Sequence, residues 1–199
     1  MANNGEELVY WYLRLNGFFP LKNFVIHRTQ NIKYSSDVDI IAVRFPFVFE
    51  EIGGQPDDWD KTLFDFFDPT LPIGLLCEVK TGRVKVHEVF RPQNMLYATG
   101  RFGFVKDPGE LKESISQNPY FVKPEKFQIA KILFSYRDQV PNDQFFHISL
   151  IHARNFLQTR IRKYPKEKYQ DRMHFPSDLI QDLIDTTVKN RDGDPHAAT

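Results

Sequence analysis

Glu78, Val79 and Lys80 close a short apolar run, Gly74-Leu75-Leu76-Cys77, and are followed by the turn pair Thr81-Gly82. In an extended strand, residues two apart share a face. The Glu78 carboxylate and the Lys80 ammonium therefore stand side by side, while Leu75, Cys77 and Val79 point the other way. A charged pair at the end of a buried strand is costly unless its members are paired or used. Taken alone, the pair reads equally as a structural ion pair or as a catalytic carboxylate with a lysine beside it. Two other carboxylates give it company. Asp39 opens the run Ile40-Ile41-Ala42-Val43, and Glu6 lies in the first turn of a predicted helix. Acidic side chains on neighbouring strands make an oxygen-rich site suited to Mg²⁺ or Mn²⁺. A lysine next to that site can hold a water and help to deprotonate it. This set suits phosphodiester hydrolysis, in which a metal lowers the pKa of its water and neutralises charge growing on the phosphate.

The elements that must position these residues follow from periodicity. Asn3 and Asn4 suit a helix N-cap, and the helix from Glu6 to Asn16 is ended by Gly17, with Pro20 just beyond. Glu6 shares a stripe with Val9, Leu13 and Gly17; the plainer reading of Glu6 and Glu7 is that both favour the helix dipole. Phe24 to Gln30 and Asp37 to Phe45 alternate as two strands and read as an antiparallel hairpin, with Asp37 and Asp39 on one face. Residues 46–72 form an acidic, irregular excursion rich in Pro, Gly and aromatic residues, with a short helix expected between Trp59 and Phe67. Ile73 to Thr81 is the third strand. Pro92 starts a helix to about Gly100, Phe102 to Val105 reads as a strand end, and Leu111 to Gln117 as a short helix. Phe127 to Tyr136 and Phe145 to His152 are further strands, the second carrying His147 and His152 with opposite parity. Asn155 to Tyr164 reads as a basic helix. A last helix runs from Pro176 to about Lys189, and residues 191–199 form a patternless tail. The order implies one α/β (α+β) domain over residues 1–190, a mixed central sheet with helices on both faces.

Gly5-Glu6-Glu7-Leu8-Val9 through Tyr12-Leu13 and Gly17-Phe18, then Asp37-Val38-Asp39-Ile40-Ile41, then Glu78-Val79-Lys80, resembles the PD-(D/E)xK nuclease superfamily. The likeness is nearest to its small resolvase-like and Mrr-like members and covers about residues 5–103. It implies a restriction-endonuclease-like fold and a Mg²⁺- or Mn²⁺-dependent nuclease acting on nucleic acid, with DNA the first expectation, in repair, restriction or defence. Carried over residue by residue, it implies that Asp39, Glu78 and the Val79 backbone carbonyl hold the metal. Lys80 orients the water, Glu6 is an accessory ligand, and Gln93 and Asp37 are auxiliary. Val38 stands where many members have proline, and the excursion makes the Asp39-to-Glu78 separation long. The rival expectation is a module that kept the fold but binds or assembles without cutting.

Composition sets the outer limits. The 199 residues carry 26 basic and 26 acidic side chains, a neutral total that does not advertise nucleic-acid binding. The distribution is uneven: Glu50 to Asp68 is acidic, and Arg154 to Arg172 is basic. Arg83, Lys85, Arg160, Arg162 and Lys163 are the candidate contacts to a phosphate backbone, with a solvated helix face as the plainer reading of the last three. The lone Cys77 rules out an internal disulfide framework and is expected to be a buried filler. No run is long enough for a membrane span, and the start lacks the regions of a signal peptide, so a cytoplasmic protein is the default. Nucleases that cut both strands often act as symmetric dimers; no sequence feature here requires one.

Overall fold

The computed structural model describes residues 4–26, 36–90, 92–118, 120–123, 126–140, 142–166 and 177–192. The expected turn before Ser36, residues 27–30 of the first predicted strand, Lys168, Arg172, Pro176 and the tail beyond Asp192 lie outside those residues.

Helix α1 (Asn4–Leu15) places Leu8, Val9, Trp11, Tyr12, Leu13 and Leu15 in the core. It stops in a Schellman motif: the Phe18 N–H reaches the Leu13 carbonyl at 3.1 Å and the Gly17 N–H the Arg14 carbonyl at 3.1 Å. Gly17 holds φ at +80°, which a glycine adopts without penalty. Strands β1 (Phe19–Ile26) and β2 (Ser36–Arg44) pair antiparallel. β1 begins five residues earlier than its alternation suggested, because Pro20 does not break it. β1 is an edge strand, where a missing N–H removes no ladder bond.

The acidic excursion folds into a 3₁₀ turn (Pro56–Asp58) and the one-turn helix α2 (Lys61–Phe64), capped by the Asp60 side chain on the Thr62 N–H at 3.0 Å. β3 (Ile73–Lys80) then pairs antiparallel with β2 and parallel with β5 (Phe127–Ser135). The connection between them carries α3 (Pro92–Thr99), α4 (Lys112–Gln117) and β4 (Tyr120–Lys123). The expected strand end at 102–105 is a 3₁₀ turn over Gly100–Phe102 closed by Gly103 at φ +68°. β4 lies antiparallel along the first half of β5, and β6 (Phe146–Ser149) lies parallel along the second half. The chain then turns into α5 (Leu150–Lys163) at Ser149, whose hydroxyl caps the Ile151 N–H at 3.1 Å. His152 is therefore on a helix and not on a strand. α6 (Asp178–Asp192) closes the described chain, running three residues past its expected end at Lys189 because no breaker precedes Gly193.

The sheet order is β1-β2-β3-β5-β4, with β6 also on β5. Each face carries its own core. Ile40, Ala42, Leu75, Cys77 and Ile132 pack with α1, α5 and α6 on one side. Ile41, Leu76, Ile129 and Leu133 pack with Met95, Ala98, Leu111 and Ile115 of the α3–α4 segment on the other. The molecule is a mixed α/β protein with a mixed sheet covered on both faces, as its element order implied.

Candidate active site

The β2–β3 ladder runs from Arg44↔Ile73 to Ile40↔Cys77 and stops there. Both strands continue: β2 stays paired to β1, and β3 stays paired to β5 as far as Lys80↔Ser135. The sheet forks at this point, and Asp39 and Glu78 are the first residues past the last rung. A second irregularity meets the first. The β1–β2 register pairs Lys22 with Ile40 and Phe24 with Val38 but skips the step between, where Asn23 holds φ at +53°. Ile40 packs in the α1-side core while Val38, two residues earlier, packs in the other. A regular strand would put both on one face. The twist between them lets the Asp39 carboxylate lie sideways, in the fork.

There it accepts the Val79 N–H at 2.7 Å, a donor that would otherwise have lost its partner with the end of the ladder. In an antiparallel pair a residue's N–H and C=O leave on the same edge. The Val79 carbonyl consequently opens toward the fork as well. Lys80 Nζ donates to Glu78 Oε2 at 2.7 Å and to Asp39 Oδ2 at 3.3 Å. The side chains are 17% (Asp39), 12% (Glu78) and 36% (Lys80) exposed, so the cluster sits at a mouth rather than in the interior. Burial alone would lower the Lys80 pKa; the hydrogen bond and charge of Glu78, then those of Asp39, outweigh it and hold Lys80 above the ordinary lysine value. Lys80 is thus an ammonium at neutral pH.

Two carboxylates and one backbone carbonyl form a hard-oxygen donor set that fits Mg²⁺ or Mn²⁺. Among the described residues no three His, Cys, Asp or Glu side chains converge as a metal group. Glu6, half-buried in the first turn of α1, does not add a third carboxylate to Asp39 and Glu78. Its neighbour Glu7 is structural: it takes the Trp11 indole N–H at 2.7 Å and pairs with Lys22 of β1. Asp37 lies on β2 opposite Val25, and Gln93 lies in the first turn of α3; their side chains are outside the described residues.

The basic candidates divide. Arg83 is exposed just past β3, and Lys85 pairs with Glu88 at 3.0 Å on the surface. Arg162 is exposed on the last turn of α5. Arg160, expected to face phosphates, is buried and donates to the carbonyls of Gly53 and Asp58. Lys163 bonds Asp58 at 2.7 Å. The reason is internal. The excursion brings peptide carbonyls and the Asp58 carboxylate against α5, and buried acceptors need donors. Arg160 is a structural tie and not a nucleic-acid contact.

Three groups escaped the sequence reading. Asp60, buried, accepts the Tyr12 hydroxyl at 2.6 Å and lies 2.6 Å from His152 Nε2. Lys131 is buried in the middle of β5, where burial pushes its pKa down to about 8. Arg44 is buried at the end of β2. A lone lysine inside Phe127-Gln-Ile-Ala-Lys-Ile-Leu-Phe was a visible signal, since a central strand seldom carries a charge without a reason. No family model, curated protein or solved structure matches the chain. No helix among the described residues is long and apolar enough to cross a membrane.

Proposed function

We propose that the protein is a metal-dependent nuclease of restriction-endonuclease-like fold, hydrolysing phosphodiester bonds, with DNA as the first substrate to test. The observation that supports this reading is the convergence of Asp39, Glu78 and Lys80 in the β2–β3 fork, from strands 39 residues apart in sequence, at 2.7 and 3.3 Å. Asp39, Glu78 and the Val79 carbonyl would hold Mg²⁺ or Mn²⁺, which supplies an activated water and charge neutralisation at the phosphate. The chain's own part is positional. Asp39 is fixed by the Val79 N–H, so its second oxygen is presented to the fork. Lys80 carries the positive charge and the N–H donors that orient a water or a phosphate oxygen beside Glu78. Arg83, three residues on and exposed, extends positive charge from the same strand end toward the nucleic acid.

Purified protein with Mn²⁺ or Mg²⁺ should cut plasmid or oligonucleotide DNA. Asp39→Ala and Lys80→Ala should each lower the rate at least about a hundredfold. No cleavage of DNA or RNA by the folded wild type in either metal would sink the reading. A silent assembly module is the second reading, favoured by the neutral total charge and the acidic excursion. It predicts no cleavage. Mn²⁺ binding that Glu78→Ala removes would then show a metal site serving assembly instead of hydrolysis.

A further inference from the structure

Five residues along β2 from Asp39, about 17 Å away at strand rise, the excursion closes over a second feature. Arg44 is only 3% exposed. Its Nε donates to the Asn16 carbonyl at 3.3 Å, and its Nη1 is buried with no hydrogen-bond partner. The guanidinium carbon lies 5.2 Å from the Trp59 ring centre and 4.8 Å from that of Phe64. Ring faces offset the charge but give the Nη1 donors no acceptor. A buried donor without an acceptor is rare in a folded protein and calls for an explanation. Beside it is a cavity of about 390 Å³ walled by Arg44, Trp59, Phe64 and Phe47, with Lys61 and Asp65 at its mouth. Asp65 is exposed and makes no bond to the guanidinium. The volume is that of a small-molecule pocket, and the mix of aromatic walls with one buried polar anchor is what such pockets use for orientation. Phe47 is 81% exposed and holds φ at +58°, a strained state for a non-glycine residue. It puts exposed aromatic surface at the rim. Gly17 makes the approach possible: a Cβ there would lie 2.9 Å from Val48, 3.3 Å from Arg44 Nε and 3.4 Å from Trp59.

We propose that this cavity binds a small planar anion, an aromatic or heteroaromatic ring bearing a carboxylate or a phosphate. Arg44 receives the anionic oxygens, and Trp59, Phe64 and Phe47 hold the ring. Arg44 lines the cavity, and an anion lodged against it returns a counter-charge to a buried guanidinium. Burial holds the Arg44 pKa below the usual arginine value, in keeping with a cation short of acceptors. The site is at the opposite end of β2 from the fork and does not depend on cleavage.

Calorimetric titration of the full chain with two matched pairs tests it: phenylacetate against phenylacetamide, and adenosine monophosphate against adenosine. The expected result is at least a tenfold preference for the anion within one pair, which also identifies carboxylate or phosphate as the anionic group. Arg44→Met should abolish the preference, Phe47→Ala should weaken the anion severalfold, and Asp39→Ala should leave it unchanged. Phe47 is exposed, so that variant and the charge preference decide the matter if Arg44→Met fails to fold. Equal affinity within both pairs, or no heat from any of the four ligands at millimolar concentration, would overturn the proposal.

Discussion

The two ends of β2 treat charge in opposite ways. At the fork, Asp39, Glu78 and Lys80 satisfy one another at a mouth that water reaches. At the far end the excursion brings Asp58 and Asp60 inside and ties each to several donors: Lys163, Tyr164 and Gln55 for Asp58, and Tyr12, His152 and Thr62 for Asp60. The first cluster faces outward, as a group must if it is to exchange partners with a substrate. The second is saturated and turned inward, so its acids serve as rivets between α1, α5 and the excursion. An acidic stretch that reads as an irregular excursion in sequence is, in part, a polar core.

The largest test of this contrast is Asp60→Ala. It strands the Tyr12 hydroxyl and releases the excursion from α1 and α5, so it should cost about 3–5 kcal/mol. In a chain of this size that lowers the melting temperature by on the order of 10 °C. Next comes Lys131→Met. Lys131 is a buried charge with neither the company of the fork nor the ties of the excursion. Holding its pKa at about 8 against an ordinary 10.5 implies a penalty of up to ~3 kcal/mol at neutral pH. The substitution should therefore stabilise by about 1–3 kcal/mol in denaturant titrations at pH 7. The sign follows: the fold disfavours charged Lys131, so wild-type stability recovers as pH rises from about 8 toward 10.5, and the gain from methionine shrinks over that range.

His152 gives a smaller, pH-dependent effect. Its hydrogen bond to Asp60 raises its pKa, against the opposing pull of burial. A raised histidine contributes stability that is full below its ordinary 6.5 and lost as pH climbs through the folded value. Melting curves should show the wild-type advantage over His152→Gln largest near pH 5.5 and fading above neutrality; an advantage growing with pH would refute the pairing. Asp60 runs the other way. Burial would raise its pKa, but the bonds from His152 and Tyr12 win and lower it, so its contribution holds above the ordinary 3.8 and fails as pH falls through the folded value. The smallest change in stability belongs to Lys80→Ala, about 1 kcal/mol for a partly exposed pair, even though it should remove cleavage. Comparable unfolding losses for Lys80→Ala and Asp60→Ala would erase the distinction between the two ends.

What could be read in the residues depended on how local the cause was. Glu78 beside Lys80 follows from the period of two in one strand, and β3 is found where that period placed it. Asp39 joining them needed only the hairpin and the next strand in register. The sideways turn of Asp39 was hidden, because it arises from the break opposite Asn23 and the missing rung past Ile40. Arg160 was misread, and the burial of Asp58 and Asp60 was hidden, for the same reason: nothing in a run of charges tells which will be drawn inside by contacts 92 to 107 residues away. The end of β6 was mistaken because Phe146-His-Ile-Ser-Leu-Ile-His alternates on into α5. Ser149, a good helix cap, was the available signal. β4 was too short, between Pro119 and Pro124, to carry a pattern of its own.

Pro20 has a bearing on how the molecule meets its own copies. The Val79 N–H faces β2, so residues alternate outward from there: Ile41 and Val43 turn to β1, where Leu21 and Phe19 answer them, and Pro20 and Lys22 turn their backbones to the open rim. That rim is the obvious place for a second chain to add itself as another strand, and Phe19 and Leu21 put exposed apolar surface beside it. Pro20 withholds the first donor such a strand would need, and Lys22 carries a charge there, held by Glu7. The one proline that obscured where β1 begins also leaves the rim one donor short for any strand that would extend the sheet.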